Sequence, residues 1–403
     1  MNIGFVGLGQ AGLVSALCLS EKFHVYGYDI DTDKMEKLKN GFVPFQEPKL
    51  QDILLRNLGK TFFPTNLKTL VKKCKNIFLA LPVKTINISE DVKYLDSVIE
   101  KFVSISMERK TIIIKSTVLP GTCASLQDIF RGLDIIMNPE FLVEGNAVED
   151  FKNPGMVVIG GSSKEAIQDV CEIYKPFSNK IVATNLQTAE FIKYLYNCLL
   201  TTLVSYSNCM ADIGEKFNVD IKFAFNALNF DAKLKAKIWN FIYPGCGYGG
   251  SCFPKDINAI TIEGKNHGAY VKLLESVQTT NDVRITKLAE QIIIKVSHDH
   301  NIKNIGFAGV AFKNGTSDIR NSIACKLVER PFGSGSCHYP IYIYDPESQA
   351  SLSFKEKYPK TIKLDSLEEL IDRSDLIVLL TKSPEFLKLK NCGKQVIDGR
   401  YFL

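Results

Sequence analysis

The stretch GCGYGGSCFPKD, Gly245 to Asp256, sets Cys252 behind four glycines and just ahead of Lys255 and Asp256. Glycine weakens a helix or strand by adding backbone freedom that folding must remove. So many of them point to a backbone that something approaches closely. The N–H groups of such loops cradle anions or an oxyanion, and a lysine three positions on favours a thiolate. Cys252 therefore reads as a nucleophile. Cys246, in the same stretch, reads as a small buried hydrophobe.

Five other groupings have the residue types for chemistry. Gly7, Gly9 and Gly12 form GxGxxG between an apolar run and a helical pattern, and Asp29 ends the next apolar run. The first glycine permits a tight turn, the second admits a pyrophosphate, and the third allows close helix–strand contact. The helix N-terminus favours phosphate. Asp29 would accept from both ribose hydroxyls and repel a 2′-phosphate, which selects NAD over NADP. Lys115, Ser116 and Thr117 follow the apolar run TIII, where parallel strands place ligands. Glu140 and Glu144 lie in NPEFLVEG and offer a general base and substrate-binding acids. Lys193 and Asn197 share a helix face and could polarise an oxygen. Lys313 and Arg320, in FKNGTSDIR, suit phosphate or nucleotide. Taken singly, the last two groupings are no more than surface charges.

These residues need elements to position them. Strand-like runs NIGFVG, HVYGYD, NIFLAL, TIIIKST, DIIMNP and MVVIGG alternate with helical stretches, which predicts a parallel sheet covered by helices. From Thr188 a long unbroken helical pattern begins. The glycine-rich stretch interrupts the helical region, and helix is expected again near His267 to Lys295. NIGFAGVAF, IYIYD, LIVLLT and KQVID then form a second α/β segment, an architectural echo of the first without a sequence repeat. Composition is that of a globular protein, 45% hydrophobic and 23% charged over 403 residues, with a net charge of +5. Dispersed lysines argue against nucleic acid, and no apolar run reaches membrane-spanning length. Eleven cysteines without a CxxC pair, in a chain that opens directly on a strand, suit a reduced, cytoplasmic setting. No metal spacing stands out, and HDH at His298 to His300 reads as a solvated loop.

Taken in order, GLGQAG, KSTVLPGT, NPEFLVEG, AEFIKYLYN, GYGGSCFPKD, FKNGTSDIRNS, YDP and DGR resemble the UDP-glucose/GDP-mannose dehydrogenase family. The resemblance implies two Rossmann-like doubly wound domains joined by a long central helix and a helical middle domain. The bounds would be 1–187 for the NAD-binding domain, 188–295 for the helical, dimerising domain with the cysteine loop, and 296–403 for the nucleotide-sugar domain. It also implies a four-electron oxidation of a sugar C6 alcohol to the carboxylate, with two NAD reduced. By the resemblance Cys252 forms the thiohemiacetal and thioester, and Glu140 serves thioester hydrolysis. Thr117 and Asp256 serve an ordered water, and Lys193 and Asn197 stabilise oxyanion character. Lys255, Arg320 and Glu144 resemble cofactor contacts. Phe141, Leu142, Lys193, Tyr248, Gly249, Gly250, Lys313 and Arg400 resemble substrate contacts. The implied substrate is UDP-glucose, with GDP-mannose as the alternative, and the implied assembly is a homodimer. GGSC argues against N-acetylated sugars, whose enzymes tend to carry GGHC. One departure stands out: the family arginine before the glycine loop is replaced in KLKAKIWNF, with Lys237 as the stand-in. 6-Phosphogluconate and hydroxyisobutyrate-type dehydrogenases share the GxGxxG domain and helical middle but need no cysteine and make only one NADH, and a non-catalytic binding module would not need the full set.

Overall fold

The computed structural model describes residues 1–85, 87–228, 230, 241–330 and 339–403, so Lys237 lies outside the described residues. The chain divides into two compact units, Met1–Leu195 and Tyr196–Leu403.

The first unit holds an eight-stranded sheet. Its strands are β1 (Asn2–Val6), β2 (His24–Tyr28), β3 (Thr61–Phe62), β4 (Asn76–Leu79), β5 (Thr111–Ile114), β6 (Asp134–Met137), β7 (Val157–Gly161) and β8 (Ile181–Thr184), in the order β3-β2-β1-β4-β5-β6-β7-β8. β3 through β6 are parallel, as expected. β7 then runs antiparallel to β6, with Ile136 opposite Gly161, and β8 is parallel to β7. The central strands are continuous apolar runs because both faces are covered: every residue of β4 and β5 is buried. Phe5 and Phe78 stack at 4.6 Å between ring centres.

A single 31-residue helix, Leu186–Lys216, then carries Lys193 and Asn197 one turn apart. The second unit also holds helices Ile221–Leu228, Phe253–Asn266 and Lys272–His298, and a five-stranded parallel sheet with helices Ile323–Val328, Ser348–Lys357 and Leu367–Arg373. Its strands are β9 (Ile305–Ala308), β10 (Ile341–Tyr344), β11 (Ile362–Lys363), β12 (Leu376–Leu379) and β13 (Gln395–Asp398), in the order β11-β10-β9-β12-β13. In each sheet the order reverses beside its first strand, between β1 and β4 and between β9 and β12. Those are the crevices where such sheets bind ligands.

Two expectations need correction. The helix expected near His267 to Lys295 is present as Lys272–His298, but a further helix, Phe253–Asn266, precedes it directly after the glycine loop. Proline in the first turn and Asp256 there are both favourable at a helix start, so Cys252 itself is the N-cap residue. The echo between the two sheets also reaches residue level. NIGFVG and NIGFAG open β1 and β9, and Tyr28-Asp29 and Tyr344-Asp345 close β2 and β10.

Candidate active site

The GxGxxG turn has the shape its spacing predicts. Gly7 has φ +89°, and a Cβ there would meet the Ala80 carbonyl oxygen at 2.4 Å. A Cβ on Gly12 would meet the Gly7 carbonyl oxygen at 2.1 Å. Gly9 differs: no atom lies within 4 Å of the place its Cβ would take. Two glycines are thus required by the fold, and the third leaves open space at the start of helix Gln10–Ser20. Asp29, at the end of β2, accepts from the Leu8 N–H at 2.7 Å and from Lys34 Nζ at 2.8 Å. Burial pushes its carboxyl up. The Lys34 ammonium and the N–H groups of Leu8 and Asp31 outweigh that and hold it below the ordinary value. The open face at Gly9, with an ionised acid at the strand end, fits the pyrophosphate and ribose of NAD. Lys34 was not foreseen. Its signal is a lysine five positions past Asp29 in the next helix.

The ends of β5 and β6 form a second cluster in this unit. Lys115 Nζ donates to Asn138 Oδ1 at 3.1 Å and to the Tyr174 hydroxyl at 3.2 Å. Burial pulls the Lys115 ammonium down to about 8, with the Glu140 charge opposing. Thr117 comes two residues later, partly buried. Glu140 accepts the Leu142 N–H at 2.7 Å on one oxygen and Lys193 Nζ at 3.1 Å on the other. Lys193 Nζ also sits 5.3 Å from the centre of the Phe141 ring. Burial raises the Glu140 carboxyl, but the Lys193 charge and the Leu142 N–H leave it below the usual range. Glu144 lies in the same turn, partly buried.

In the second unit Cys252 is exposed at the head of helix Phe253–Asn266. Asp256, in the first turn, is fully buried. One of its oxygens accepts Asn197 Nδ2 at 2.6 Å, and the other is ion-paired with Lys255 Nζ at 2.8 Å. The glycine loop ahead of Cys252 is clamped by side chains from elsewhere in the unit. Tyr248 N–H donates to Asn281 Oδ1 at 2.8 Å, and Arg400 Nη1 donates to the Gly247 carbonyl at 3.1 Å. Gly250 N–H donates to the Arg320 carbonyl at 3.1 Å. A Cβ on Gly249 would meet the Asn321 carbonyl oxygen at 2.1 Å, and one on Gly247 would meet Asn281 Oδ1 at 2.7 Å. Several of these glycines therefore make room for the protein's own neighbours. Asn281 and Arg284, which donates to the Gly245 carbonyl at 2.8 Å, went unrecognised. A polar residue on the buried face of a long helix was the available signal for Asn281. Lys313 lies over the Phe312 ring at 5.7 Å, and the exposed Arg320 side chain pairs with Asp318 at 2.6 Å. Among the described residues no cluster of three or more His, Cys, Asp or Glu could hold a metal ion. Among them, too, no helix is long and apolar enough to cross a membrane.

Models of the UDP-glucose/GDP-mannose dehydrogenase family match along the chain: the NAD binding domain at 1–178, the central domain at 187–283 and the UDP binding domain at 306–403. A UDP-glucose 6-dehydrogenase of Rickettsia conorii is 32% identical over 96% of this chain and 91% of its own length. A UDP-glucose dehydrogenase structure from Pyrobaculum islandicum superimposes with a TM-score of 0.89 at 27% identity, covering 100% of this chain and 94% of that one. A UDP-D-ManNAc dehydrogenase structure from Pyrococcus horikoshii gives 0.84 at 26% identity, covering 100% and 96%. On the family models that match along it and its identity to curated members, this chain belongs to the UDP-glucose/GDP-mannose dehydrogenase family, the NAD-dependent nucleotide-sugar dehydrogenases.

Proposed function

We propose that this chain oxidises UDP-glucose to UDP-glucuronate through a covalent thioester on Cys252. The observation that carries the reading is an exposed cysteine at a helix N-terminus, with the buried Asp256 and its partners Asn197 and Lys255 in the first turn. A helix N-terminus favours a thiolate there.

In this reading Gly7, Gly9, Gly12, Asp29 and Lys34 hold NAD, with Lys255, Arg320 and Glu144 as further contacts. NAD, when bound, supplies the hydride acceptor for both oxidations. The Cys252 thiolate adds to the C6 aldehyde left by the first oxidation and forms a C–S bond. Loss of the C6 hydrogen as hydride, and of the hydroxyl proton to the ordered water, turns that thiohemiacetal into a thioester. Water then adds to the thioester carbon and the C–S bond breaks, which releases the carboxylate, returns the thiolate and frees two protons, the second of which passes to solvent. Glu140, ionised beside Lys193, takes the proton of that water. Thr117 and Asp256 hold an ordered water for proton transfer, and Lys193 and Asn197 donate to the oxygen that gains charge. Phe141, Leu142, Tyr248, Gly249, Gly250, Lys313 and Arg400 hold the nucleotide sugar.

The same reading makes the enzyme a homodimer. Leu195, Leu199, Tyr206, Met210 and Ile213 are exposed along one face of helix Leu186–Lys216 and offer an apolar stripe. It also assigns the enzyme to the cytoplasm, where the ten free cysteines among the described residues would stay reduced.

The test is the yield of NADH from limiting sugar with NAD in excess. Two NADH per UDP-glucose supports both the thioester route and the substrate. One per sugar refutes the role given to Cys252. Two from GDP-mannose or UDP-N-acetylmannosamine, and none from UDP-glucose, overturns the substrate and keeps the route. The second of these sugars is included because of the likeness to the Pyrococcus horikoshii structure.

A further inference from the structure

Glu47 belongs to none of the motifs above, yet its carboxylate is buried and fully engaged. It is 6% exposed. One oxygen accepts both Gln10 Nε2 at 2.7 Å and the Gly145 N–H at 2.9 Å, and the other accepts the Ala147 N–H at 2.8 Å. Gln10 directly follows Gly9, the glycine with open space where pyrophosphate fits. Gly145 follows Glu144 and has φ +80°, so the turn that bears Glu140 and Glu144 has a defined left-handed exit. One side chain therefore joins the start of helix Gln10–Ser20 to the end of that turn. At the far end of the same helix, Glu21 pairs with Lys152 at 2.7 Å, so helix Ala147–Lys152 is fastened to it twice. The Lys49–Glu149 pair beside Glu47 is solvent-exposed and adds little.

We propose that Glu47 is a positioning residue that couples NAD binding at Gly9 to the order of the turn carrying Glu140 and Glu144. Pyrophosphate at Gly9 fixes the first helical turn and with it Gln10. The Gln10 amide holds the Glu47 carboxylate, and the carboxylate holds Gly145 and Ala147. Glu140 and Glu144 are then set for the sugar only when the cofactor is in place. Coupling of this kind is reciprocal, so a turn cut loose from Gln10 weakens NAD binding in return.

The experiment is hydrogen exchange of the amides at 141–147 in the full chain, with and without saturating NAD, in wild type, Gln10→Ala and Glu47→Ala. NAD is expected to slow exchange there in the wild type, and both variants should lose that slowing. Both should also bind NAD about fivefold or more weakly in a direct titration. Gln10→Ala is the discriminating variant because it leaves Glu47 bonded to Gly145 and Ala147. It also serves alone if Glu47→Ala does not fold. A merely structural cap would leave its response to NAD intact. Retention of the wild-type slowing in Gln10→Ala overturns the proposal, as does a wild type whose 141–147 amides ignore bound NAD.

Discussion

Glu140 shows how two contacts decide what one carboxylate can do. Burial alone would favour the neutral acid, which cannot take a proton from water. Lys193 on one oxygen and the Leu142 N–H on the other reverse the balance, and the group stays charged through mildly acid pH. Glu140→Gln keeps the shape and removes the proposed base. We expect kcat to fall by about 10²–10⁴. The sugar should accumulate on Cys252 as an adduct, visible as added mass on the denatured chain. A variant with normal kcat, or a slow one that gathers no adduct, would take Glu140 out of the hydrolysis step. The identity of this residue was legible in NPEFLVEG. Its pairing with Lys193, far along the chain, was not. The glycines of GYGGSC show the same limit. Their number announces close approach, but what approaches Gly247 and Gly249 is Asn281 and Asn321. A missing side chain marks a space and does not name its occupant.

Elements carry signals of their own extent in the sequence but none of their direction. The helix from Leu186 to Lys216 was visible as an unbroken run. The reversal of β7 against β6 was invisible, because an apolar run carries no sign of its direction. The helix start at Phe253 was hidden by the glycines before it, although Pro254 and Asp256 are start signals. Elements also join through side chains of no motif. Glu190, on the long helix, accepts the Gly121 N–H at 2.6 Å and the Cys123 N–H at 2.7 Å at the head of helix Thr122–Ile129. Two effects compete at this carboxyl. Burial raises it, and the Cys123 and Gly121 N–H groups lower it. Burial wins, and the group is raised from 4.5 to about 7. A carboxyl raised on folding binds its proton more tightly in the native state. Its contribution is therefore complete below about pH 4.5 and is lost as pH rises through about 7. Glu190→Gln removes the titration. Thermal midpoints of wild type and variant, compared at each pH, should diverge between those values, the wild type losing ground as pH rises. Parallel curves would show that the helix end holds Glu190 ionised throughout.

The two sheets repeat one design, and the difference between them predicts how many cofactors the whole chain takes. In the first, Gly7 N–H donates to the Tyr28 carbonyl at 2.9 Å and Leu8 N–H to Asp29 at 2.7 Å. In the second, Gly309 N–H donates to the Tyr344 carbonyl at 2.8 Å and Val310 N–H to Asp345 at 2.8 Å. The clamp between strand and turn is the same, but the two chains diverge immediately beyond it. Ala311 stands where Gly9 stands in the first sheet, and its methyl is buried. The chain then runs on as a loop, and the next helix begins only at Ile323. Asp345 is buried and accepts the N–H groups of Val310, Ala311 and Glu347, so its carboxylate serves the loop and is not open to a ribose. The second sheet thus keeps the strand-end crevice but has neither the open glycine nor the adjoining helix N-terminus that receive a pyrophosphate. That suits a family model described as a UDP binding domain at 306–403. We therefore expect one NAD per chain in calorimetric titration. Gly9→Ala, whose new methyl enters open space, should leave the folding stability within about 0.5 kcal/mol of wild type while removing that single site. Two NAD per chain, or one that survives Gly9→Ala unchanged, would mean that the second clamp has kept a cofactor function its geometry argues against.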